Sequence, residues 1–464
     1  MNNRIVTSLC VLCALLSAMQ SASAQGPLSP TAAPAPTMKT LQQVEPRIAI
    51  TSTNAVTISS PGSYYLTTNI TVTTSHAVSI TVSGVTLDLN GFTLSSTAAS
   101  PSGNGILLAS GLTDITILNG HITSGVTYSG GSYSGTGFLG GINFNGTAPF
   151  NVRVSGVSVS GVLDSGILLG GNSTVVDSCT VQTAGSSGIQ ASSVTHSTAY
   201  QCGNTAIDAN TASDCYGYGT GSGDGVRANQ TATGSFGQSS SGYGLYANNA
   251  LNCSGISSNG GGIHAVATAE NCYGTSSSTS GFSGLYALSA LNCYGVNSGS
   301  SDGLDAVQNA TGCYGQSIGG NGLSANNAEN CSGQSSSGVG LFATQAATGC
   351  SGISSNGVGL QANNAQNCSG ISYFETGLQA NQTATGCYGE SVGSNGLLAN
   401  NAANCSGVSS NGGFGVYAYS IANSCYGWTG LPTVSVVATI TIGCYGAGTN
   451  GGGGISAEYY YNEP

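Results

Sequence analysis

The sequence predicts an all-β protein built as a single-stranded parallel β-helix, a solenoid with coils of about 19 residues. The first observation is a tandem array in which Cys-Tyr-Gly or Cys-Ser-Gly recurs every 18 to 21 residues, a period typical of solenoids. The second is a Gly-aliphatic-x-Ala phrase in each unit, such as GLQA at 359–362. The third is the glycine content, 74 of 464 residues, because each glycine would cost a helix about 1 kcal/mol relative to alanine.

The anchors of the array predict which residues face the interior. Alternate side chains of a strand face opposite sides, so the cysteine and glycine of each anchor point inward and the residue between them points outward. Turn phrases such as SSNGVG and ANNAQN separate the strands, since glycine and asparagine tolerate left-handed backbone. The anchors are Cys215, Ser235 (the one slot of the array without cysteine), Cys253, Cys272, Cys293, Cys313, Cys331, Cys350, Cys368, Cys387, Cys405, Cys425 and Cys444.

Residues 1–24 have the pattern of a secretory signal peptide. One early cation, Arg4, precedes an apolar run that ends with the small residues Ala22-Ser23-Ala24 before Gln25, as at a signal cleavage site. A linker rich in proline and alanine follows at 25–38, and it is expected to be extended. No later stretch reaches the roughly 18 apolar residues of a spanning helix. We therefore expect an exported protein, extracellular or at the cell surface, without membrane insertion.

Residues 39–200 are predicted to form an N-terminal cap and larger, less regular coils. An insertion at 124–141 accounts for most of the largest excess in coil length, and we expect it to project as a loop. Loops on rigid scaffolds often carry function, which makes this region one candidate for ligand binding. The aliphatic column of the array continues upstream with shrinking spacing through Ile106, Ile142, Ile167, Ile189 and Ile207.

Both ends of the solenoid need protection, because an exposed sheet edge invites aggregation. The segment with Leu41, Val44 and Ile48–Ile50 is expected to cover the first coil. At the far end, regular repeats are assigned to 201–457 and a C-terminal tail to 458–464. The less repetitive segment 433–446, together with Trp428, is expected to help close that end.

The phrases PGSYYLTTNI, VTLDLNGFTLSS and ITILNGHITSG, at 61–70, 85–96 and 115–125, resemble the opening coils of secreted bacterial proteins of the pectin-lyase-like superfamily. Over about residues 40–464, the Cys-Tyr-Gly array and the closing YYYNEP resemble a repeat-rich branch of that group. The resemblance implies export and a right-handed β-helix, a hand that the general preference for right-handed crossovers also favours. It implies no single activity, because one fold hosts many functions.

Characterised members of that superfamily include polysaccharide lyases and glycoside hydrolases, so catalysis is the alternative function. Lyase action resembling theirs needs an acidic calcium site and a positioned cation, and hydrolysis needs two carboxylates about 5 to 10 Å apart. The sequence contains no Asp-Asp pair, no Gly-His-Gly and no Arg-Ile-Lys. Five charged residues on the irregular coils near 121–227 remain as candidates for a catalytic site, and single charges exposed to solvent explain them equally well. They are Arg153, Asp164, Asp177, Asp208 and Arg227.

The charge balance narrows the choice of partners. Sixteen acidic residues against five basic ones give a net charge of −11, and no basic patch is present to release counterions from nucleic acid. Nucleic acid is therefore excluded as a partner. Only 5% of residues are charged, and a neutral polar surface with exposed aromatic rings suits extracellular polysaccharide or a cell-surface glycan.

The variable residue of the Gly-aliphatic-x-Ala phrase forms an outward column with about 4.8 Å between neighbours. Its stretch Tyr246, His264, Tyr286 and Asp305 is predicted to line a shallow sugar-binding strip. The alternative is an unselected exposed column stabilised by stacking, and the same two interpretations apply to Tyr273, Tyr294 and Tyr314 beside the cysteines. The full column reads Gln190, Asp208, Arg227, Tyr246, His264, Tyr286, Asp305, Ser324, Phe342, Gln361, Gln379, Leu398 and Tyr417.

Fourteen cysteines follow the signal peptide, which in an oxidising compartment suggests disulfides. Stacked coils, however, hold equivalent Cβ atoms farther apart than the roughly 3.8 Å of a relaxed disulfide, so we predict mostly buried, unbridged thiols. Zinc is not expected, because the cysteines lie in a line and not at the corners of a tetrahedron. His264 has no second histidine in its neighbouring coils. We expect no metal and no cofactor.

These observations predict a secreted, non-catalytic β-helix that acts as an extracellular structural, adhesive or glycan-binding protein. The alternative is a polysaccharide lyase or glycoside hydrolase of the pectin-lyase-like superfamily with its site on the irregular coils. Ice binding is a third, weaker hypothesis, because the array lacks a continuous column of threonine.

Overall fold

The computed structural model describes residues 46–449 and 453–461. The predictions for the signal peptide, the linker, Leu41 and Val44 lie outside these residues. From Ile48 onward the chain forms a parallel β-solenoid of about 22 coils, which confirms the predicted all-β class and the coil length of about 19 residues. Within the described residues, no helix is long and apolar enough to cross a membrane.

The strands of the opening coils are short and vary in length. They are β1 (Ile48–Ile50), β2 (Val56–Ile58), β3 (Gly62–Leu66), β4 (Ile70–Val72), β5 (Val78–Ile80), β6 (Val85–Asp88), β7 (Thr93–Ser96), β8 (Asn104–Leu108), β9 (Thr113–Thr123), β10 (Thr127–Ser129), β11 (Ser132–Ser134), β12 (Gly140–Phe144), β13 (Phe150–Val162), β14 (Ile167–Asp177), β15 (Thr180–Ala184), β16 (Ile189–Thr195) and β17 (Thr198–Cys202).

From β18 onward a long strand alternates with a strand of four residues until the last coils. These strands are β18 (Ile207–Ser213), β19 (Tyr216–Gly219), β20 (Val226–Thr233), β21 (Phe236–Ser239), β22 (Leu245–Leu251), β23 (Ser254–Ser257), β24 (Ile263–Glu270), β25 (Tyr273–Ser276), β26 (Leu285–Leu291), β27 (Tyr294–Asn297), β28 (Leu304–Thr311), β29 (Tyr314–Ser317), β30 (Leu323–Glu329), β31 (Ser332–Ser335), β32 (Leu341–Thr348) and β33 (Ser351–Ser354).

The array then continues to the last described residues. Its strands are β34 (Leu360–Gln366), β35 (Ser369–Ser372), β36 (Leu378–Thr385), β37 (Tyr388–Ser391), β38 (Leu397–Ala403), β39 (Ser406–Ser409), β40 (Val416–Asn423), β41 (Tyr426–Thr429), β42 (Val436–Val437), β43 (Ile440–Ile442), β44 (Tyr445–Gly448), β45 (Ile455–Ser456) and β46 (Tyr459–Tyr461).

One coil shows how the repeat builds three faces. In β22 and β23 the side chains of Leu245, Ala247, Ala250, Cys253 and Ser257 are buried, and the residues between them face outward. The long strand bends after Ala247, because two successive residues there face outward before Ala250 returns to the interior. The predicted inward direction of the aliphatic residue, alanine and cysteine is confirmed.

Parallel pairing stacks equivalent residues directly above one another. The column that begins Val56, Val78, Ile106 passes through the predicted upstream positions and reaches Ile455 without a break. Coils of different length therefore share one register, and the excess residues are placed in the turns and bulges.

Glycine allows the backbones of two faces to touch across the interior. A Cβ added at Gly333, in the anchor of one coil, would lie 2.1 Å from the carbonyl oxygen of Gly340, and one added at Gly340 would lie 2.3 Å from the nitrogen of Ile353. Such distances leave no room for any side chain. The narrow interior thus explains why glycine occupies both positions in nearly every unit, the exception being Ser435 before Val436.

A left-handed corner precedes each inward cysteine, a feature that the sequence analysis did not predict. Asn292, for example, has φ 50° and Asn330 has φ 52°, values that asparagine and glycine tolerate best. Where glycine takes this place, as at Gly312, a Cβ would lie 2.6 Å from Oδ1 of Asn292 in the preceding coil. The alternation of asparagine and glycine before cysteine therefore has a packing cause.

A buried serine closes the turn at the end of most short strands, and Asn297 and Thr429 take its place in β27 and β41. The Oγ of Ser335 donates a hydrogen bond to the carbonyl oxygen of Gly320 at 2.6 Å and accepts one from the amide of Gly338 at 2.9 Å. Ser354 makes the equivalent pair of bonds with Gly338 and Gly357. Because each serine binds the turn of the preceding coil, this column satisfies buried backbone groups and links successive coils.

All fourteen cysteines within the described residues are unbridged and buried. They form a second buried column, except Cys202, which is in register with Ala184 and Gly219 in the column that continues as the serines. The amide of Cys293 donates to Sγ of Cys313, and the amide of Cys313 donates to Sγ of Cys331, both at 3.4 Å. Ser197 and Ser235 occupy the same column, since each accepts the amide of the preceding cysteine. The prediction of buried, free thiols agrees with this arrangement.

The insertion at 124–141 does not project as predicted. Its strands β10 and β11 form an antiparallel hairpin that lies along later coils. The hydroxyl of Tyr133 donates to the carbonyl oxygen of Gln201 at 3.0 Å and bonds Oγ1 of Thr220 at 2.7 Å. Burial raises the pKa of Tyr133 to about 12. The side chain of Phe138 is fully buried beside the hairpin, so the loop is fixed at both ends.

The segments expected to close the ends form further strands. Ile48–Ile50 is β1 and pairs in parallel with β3, so it adds to the first coil and does not cover it. The segment at 433–446 continues the stack through β42, β43 and β44, and Trp428 lies on β41. Residues 459–461, which the sequence analysis placed in the tail, form β46 and pair with β43.

Gly333→Ala is expected to destabilise the solenoid by about 3 kcal/mol, the upper range for overpacking, because the new methyl group meets backbone that has no rotamer to change. The denaturant midpoint measures this effect. Gly171→Ala is the matched control, since its Cβ would meet only Nδ2 of Asn210 at 3.9 Å. Equal midpoints for the two variants would contradict the proposed backbone contact.

The fourteen cysteines of the described residues are expected to resist thiol reagents in the native protein and to react fully in denaturant. All fourteen thiols are buried, which keeps the reagent from reaching them. For Cys202 and Cys215 burial also raises the pKa, to about 12 and about 11, which disfavours the reactive thiolate. Mass spectrometry after alkylation, with and without denaturant, measures both states. Thiols that stay blocked in denaturant without reductant would show disulfides and contradict this prediction.

Candidate functional site

The outward column aligns as predicted. Strand pairing places Tyr246 opposite His264, His264 opposite Tyr286, and Tyr286 opposite Asp305. The rings of Tyr246 and His264 are stacked with centroids 5.2 Å apart, and those of His264 and Tyr286 with centroids 4.7 Å apart. Because the planes are nearly parallel, these rings cover one another's faces and turn their edges to solvent.

A cleft of about 390 Å³ lies beside this column. His264, Tyr286 and Asp305 line it, whereas Tyr246 stacks on His264 outside the lining. Its other aromatic walls, Tyr243 and Phe282, were not predicted. A cavity of this size that combines aromatic rings with a few polar groups is the usual form of a small-molecule or saccharide site.

Two local sequence features create the cleft. Tyr243 precedes the Gly-aliphatic phrase of its coil, and the equivalent residue one coil later is Gly261, where a Cβ would lie 2.9 Å from the Tyr243 ring. Phe282 belongs to the unit between Cys272 and Cys293, which has the longest spacing in the array, 21 residues. The extra turn residues place Phe282 edge-on to Tyr243, with centroids 5.7 Å apart and planes at 87°.

Two carboxylates lie at one end of the cleft. Asp302 and Asp305 both line it, and Oδ1 of Asp302 accepts the amide of Asn321 at 2.7 Å. Burial, together with the neighbouring charge of Asp302, raises the pKa of Asp305 to about 6. Burial also raises the pKa of Asp302. The carboxylates are therefore held in a setting that disfavours their negative charge.

Burial lowers the pKa of His264, which keeps the imidazole neutral at neutral pH. A neutral ring stacks between two tyrosines without the cost of burying a cation. His264 also lies 4.9 Å, centroid to centroid, from Tyr243. The histidine therefore serves as the middle aromatic ring of the column and contacts rings on three sides.

At the opposite end of the column, the chain supplies its own cation. Cζ of Arg227 lies 5.4 Å from the centroid of the Tyr246 ring, and its Nε donates to Oδ2 of Asp224 at 2.8 Å. Asp224 was not predicted as part of the site, because it precedes the repeated phrase and has no counterpart in most units. Arg227 therefore covers the outer face of Tyr246 by a cation–π contact and neutralises Asp224 by an ion pair at that end of the column.

The second aromatic column also aligns as predicted. Tyr273, Tyr294 and Tyr314 are in register, with centroids 5.2 and 4.6 Å apart and planes within 16°. Stacking occupies the ring faces that a sugar would need. None of these three rings lines the cleft beside His264. Their arrangement favours the structural interpretation for this column.

The charged constellation of the irregular coils is largely engaged in contacts between neighbours. Asp177 accepts a hydrogen bond from Oγ1 of Thr195 at 2.7 Å and contacts Nδ1 of His196 at 3.1 Å, and these hydrogen bonds lower its pKa. Asp208 accepts a weaker bond from Gln190 at 3.3 Å. Arg153 is exposed on β13 and is in register with Val175.

Asp164, the remaining member, follows β13, and its Oδ1 accepts a hydrogen bond from Oγ of Ser165 at 3.4 Å. The contact of Asp164 is therefore local, whereas those of Asp177 and Asp208 join adjacent coils. Within residues 46–449 and 453–461, no group of three or more histidine, cysteine, aspartate or glutamate side chains is arranged to hold a metal ion.

The chain matches no family model, no curated protein and no solved structure. The structure establishes a parallel β-solenoid. Membership of the pectin-lyase-like superfamily and the right-handed winding stay predictions from the resemblance of the opening coils.

Asp305→Asn is expected to raise the melting temperature above pH 6 and to have little effect near pH 3.8. The folded pKa of about 6 exceeds the ordinary value of 3.8 for an aspartate, so the contribution of this group to stability is complete below the lower value and is lost as pH rises through the higher one. Scanning calorimetry across this range measures the difference. Glu329→Gln, at an exposed carboxylate, is the control, and a pH-independent effect of Asp305→Asn would contradict the assignment.

Proposed function

We propose that this protein is an exported structural solenoid that binds extracellular polysaccharide or cell-surface glycan through the cleft beside His264. The observation that supports this most is the set of residues in one cavity of about 390 Å³: Tyr243, His264, Phe282 and Tyr286 with Asp302 and Asp305. Aromatic rings bind the apolar C–H faces of pyranose rings, and carboxylates accept hydrogen bonds from sugar hydroxyls.

The orientation of the rings supports this use of the cleft. Tyr243 is tilted by 46° to His264, and Phe282 is nearly perpendicular to Tyr243. These two rings therefore do not belong to the stacked column, and they turn different surfaces towards the cavity. Phe282 is partly exposed and lines the cleft, so its ring is accessible to a ligand.

The rest of the solenoid supports a structural or adhesive role for the scaffold. Its stacked columns of serine, cysteine and glycine tie each coil to the next, and a rigid sheet holds the cleft residues in fixed register. Rigid elements position binding groups more accurately than loops do. The signal-like residues 1–24 support export, where polysaccharide is accessible to the cleft.

Phe282→Ala is expected to weaken polysaccharide binding about tenfold, equivalent to about 1.4 kcal/mol, because it removes an aromatic wall without opening the core. A panel of soluble neutral, amino and acidic polysaccharides, tested by affinity electrophoresis and then by calorimetry, measures the effect. Phe374→Ala is the matched control, since Phe374 is an exposed phenylalanine in the turn of another coil.

Absence of binding to every polysaccharide of the panel would overturn the proposal, as would equal affinity in Phe282→Ala and the unchanged protein. The same panel should be analysed for reducing and unsaturated ends. Their release, abolished by Arg153→Ala, would support the enzymatic alternative on the irregular coils.

A further inference from the structure

We infer that the Asp305 end of the cleft binds a protonated amine, so that the preferred carbohydrate contains amino sugars with a free ammonium group. This inference rests on the proposed function, because it specifies the saccharide that the same cleft takes. It comes from a comparison of the two ends of one aromatic column, where similar sequences have opposite charges.

The Arg227 end shows how this column holds a cation. The guanidinium lies over the outer face of Tyr246, and Asp224, three residues earlier in the chain, neutralises it. The carboxylate is itself fixed, because its Oδ1 accepts the amide of Tyr243 at 2.9 Å. Ring face, cation and anchored carboxylate thus form one unit.

The sequences at the two ends align residue for residue: DGVRA at 224–228 and DGLDA at 302–306. Asp302 therefore corresponds to Asp224, and Asp305 takes the place of Arg227. Oδ1 of Asp302 accepts the amide of the next coil at 2.7 Å, as Oδ1 of Asp224 does. The anchored carboxylate of the Arg227 end therefore has an equivalent at the Asp305 end.

The position relative to the ring is mirrored, since Arg227 lies one coil before Tyr246 and Asp305 lies one coil after Tyr286. Arg227 is in register with Tyr246, and Asp305 is in register with Tyr286, the last ring of the column. Within the described residues, no aromatic ring or cation stacks on Tyr286 from the Asp305 side, and no hydrogen-bond donor or cation contacts the Asp305 carboxylate. The Asp305 end therefore has an aromatic ring and two carboxylates but no cation of the chain.

An ammonium group bound there would complete the arrangement. It would gain attraction to the ring face of Tyr286 and charge-assisted hydrogen bonds to the two carboxylates. It would also relieve the repulsion between Asp302 and Asp305, which are partly buried together. A neutral hydroxyl or an acetylated amine offers no charge, so this end of the cleft discriminates in favour of the free amine.

Two further observations favour an organic ammonium ion as the occupant. Four aromatic rings line the same cavity, and they suit a cation attached to an apolar sugar ring better than a hydrated metal ion. The net charge of −11 attracts cationic polymers over long range. Binding of a polyamine sugar therefore benefits from the whole surface as well as from the cleft.

The test compares oligomers of glucosamine with oligomers of N-acetylglucosamine of equal length, by calorimetry with the full chain at a pH slightly below neutral and physiological salt. We expect the free amine to bind at least tenfold more tightly. Asp305→Asn should reduce its affinity to that of the acetylated oligomer, and Glu329→Gln, which removes the same charge outside the lining of the cleft, should not.

Asp305→Arg gives a second measurement. This variant copies the Asp224–Arg227 end, so it should fold, pair with Asp302 and lose amine binding because its own side chain occupies the site. Circular dichroism checks the fold. Amine affinity retained in Asp305→Arg, or reduced equally by Glu329→Gln, would overturn the inference by showing non-specific attraction to an acidic surface.

The outcomes separate this inference from the proposed function. Equal affinity for both oligomers, lost in Phe282→Ala, would overturn the amine preference and leave a glycan-binding cleft. Absence of binding to either oligomer and to the whole polysaccharide panel would overturn both.

Discussion

The contact between two backbones across the interior determines most of this structure. Because glycine carbonyls and amides of facing strands approach without intervening side chains, the coil cannot widen or admit a larger residue at that point. In the regular array the remaining interior positions are then mostly alanine, cysteine, serine and a single row of larger aliphatic residues, whereas the opening coils bury several such rows. Stability consequently depends on repetition, since each thin coil buries little apolar surface and needs its neighbours.

Repetition also explains where a binding site can form. A perfectly regular array would present identical columns. Tyrosines stacked in such columns contact one another through their ring faces, which are then not available to a ligand. The cleft exists where the repeat is broken: glycine replaces a larger residue at Gly261, and the longest unit contributes Phe282. Asp302 and Asp305 add charge at that place, on a surface that otherwise has few charged groups.

The sequence predicted the fold, the interior columns and the outward column because each depends on local period and alternation. It placed Tyr246, His264, Tyr286 and Asp305 in line, and the register agrees. It did not predict Tyr243, Phe282 or Asp302, because turn residues have no fixed period and their directions depend on the coil above. The spacing of 21 residues was the available signal for Phe282. Likewise, the hairpin at 124–141 folds back through Tyr133, a distant contact that no local pattern encodes.

Each coil pairs only with the one before it and the one after it, while the cleft is confined to a few consecutive coils. Gain or loss of whole units elsewhere would therefore change the length of the solenoid by about 4.8 Å per unit and leave the cleft intact. The length of the solenoid and the choice of ligand can therefore change independently, because only substitutions in the cleft itself alter the residues that meet a ligand.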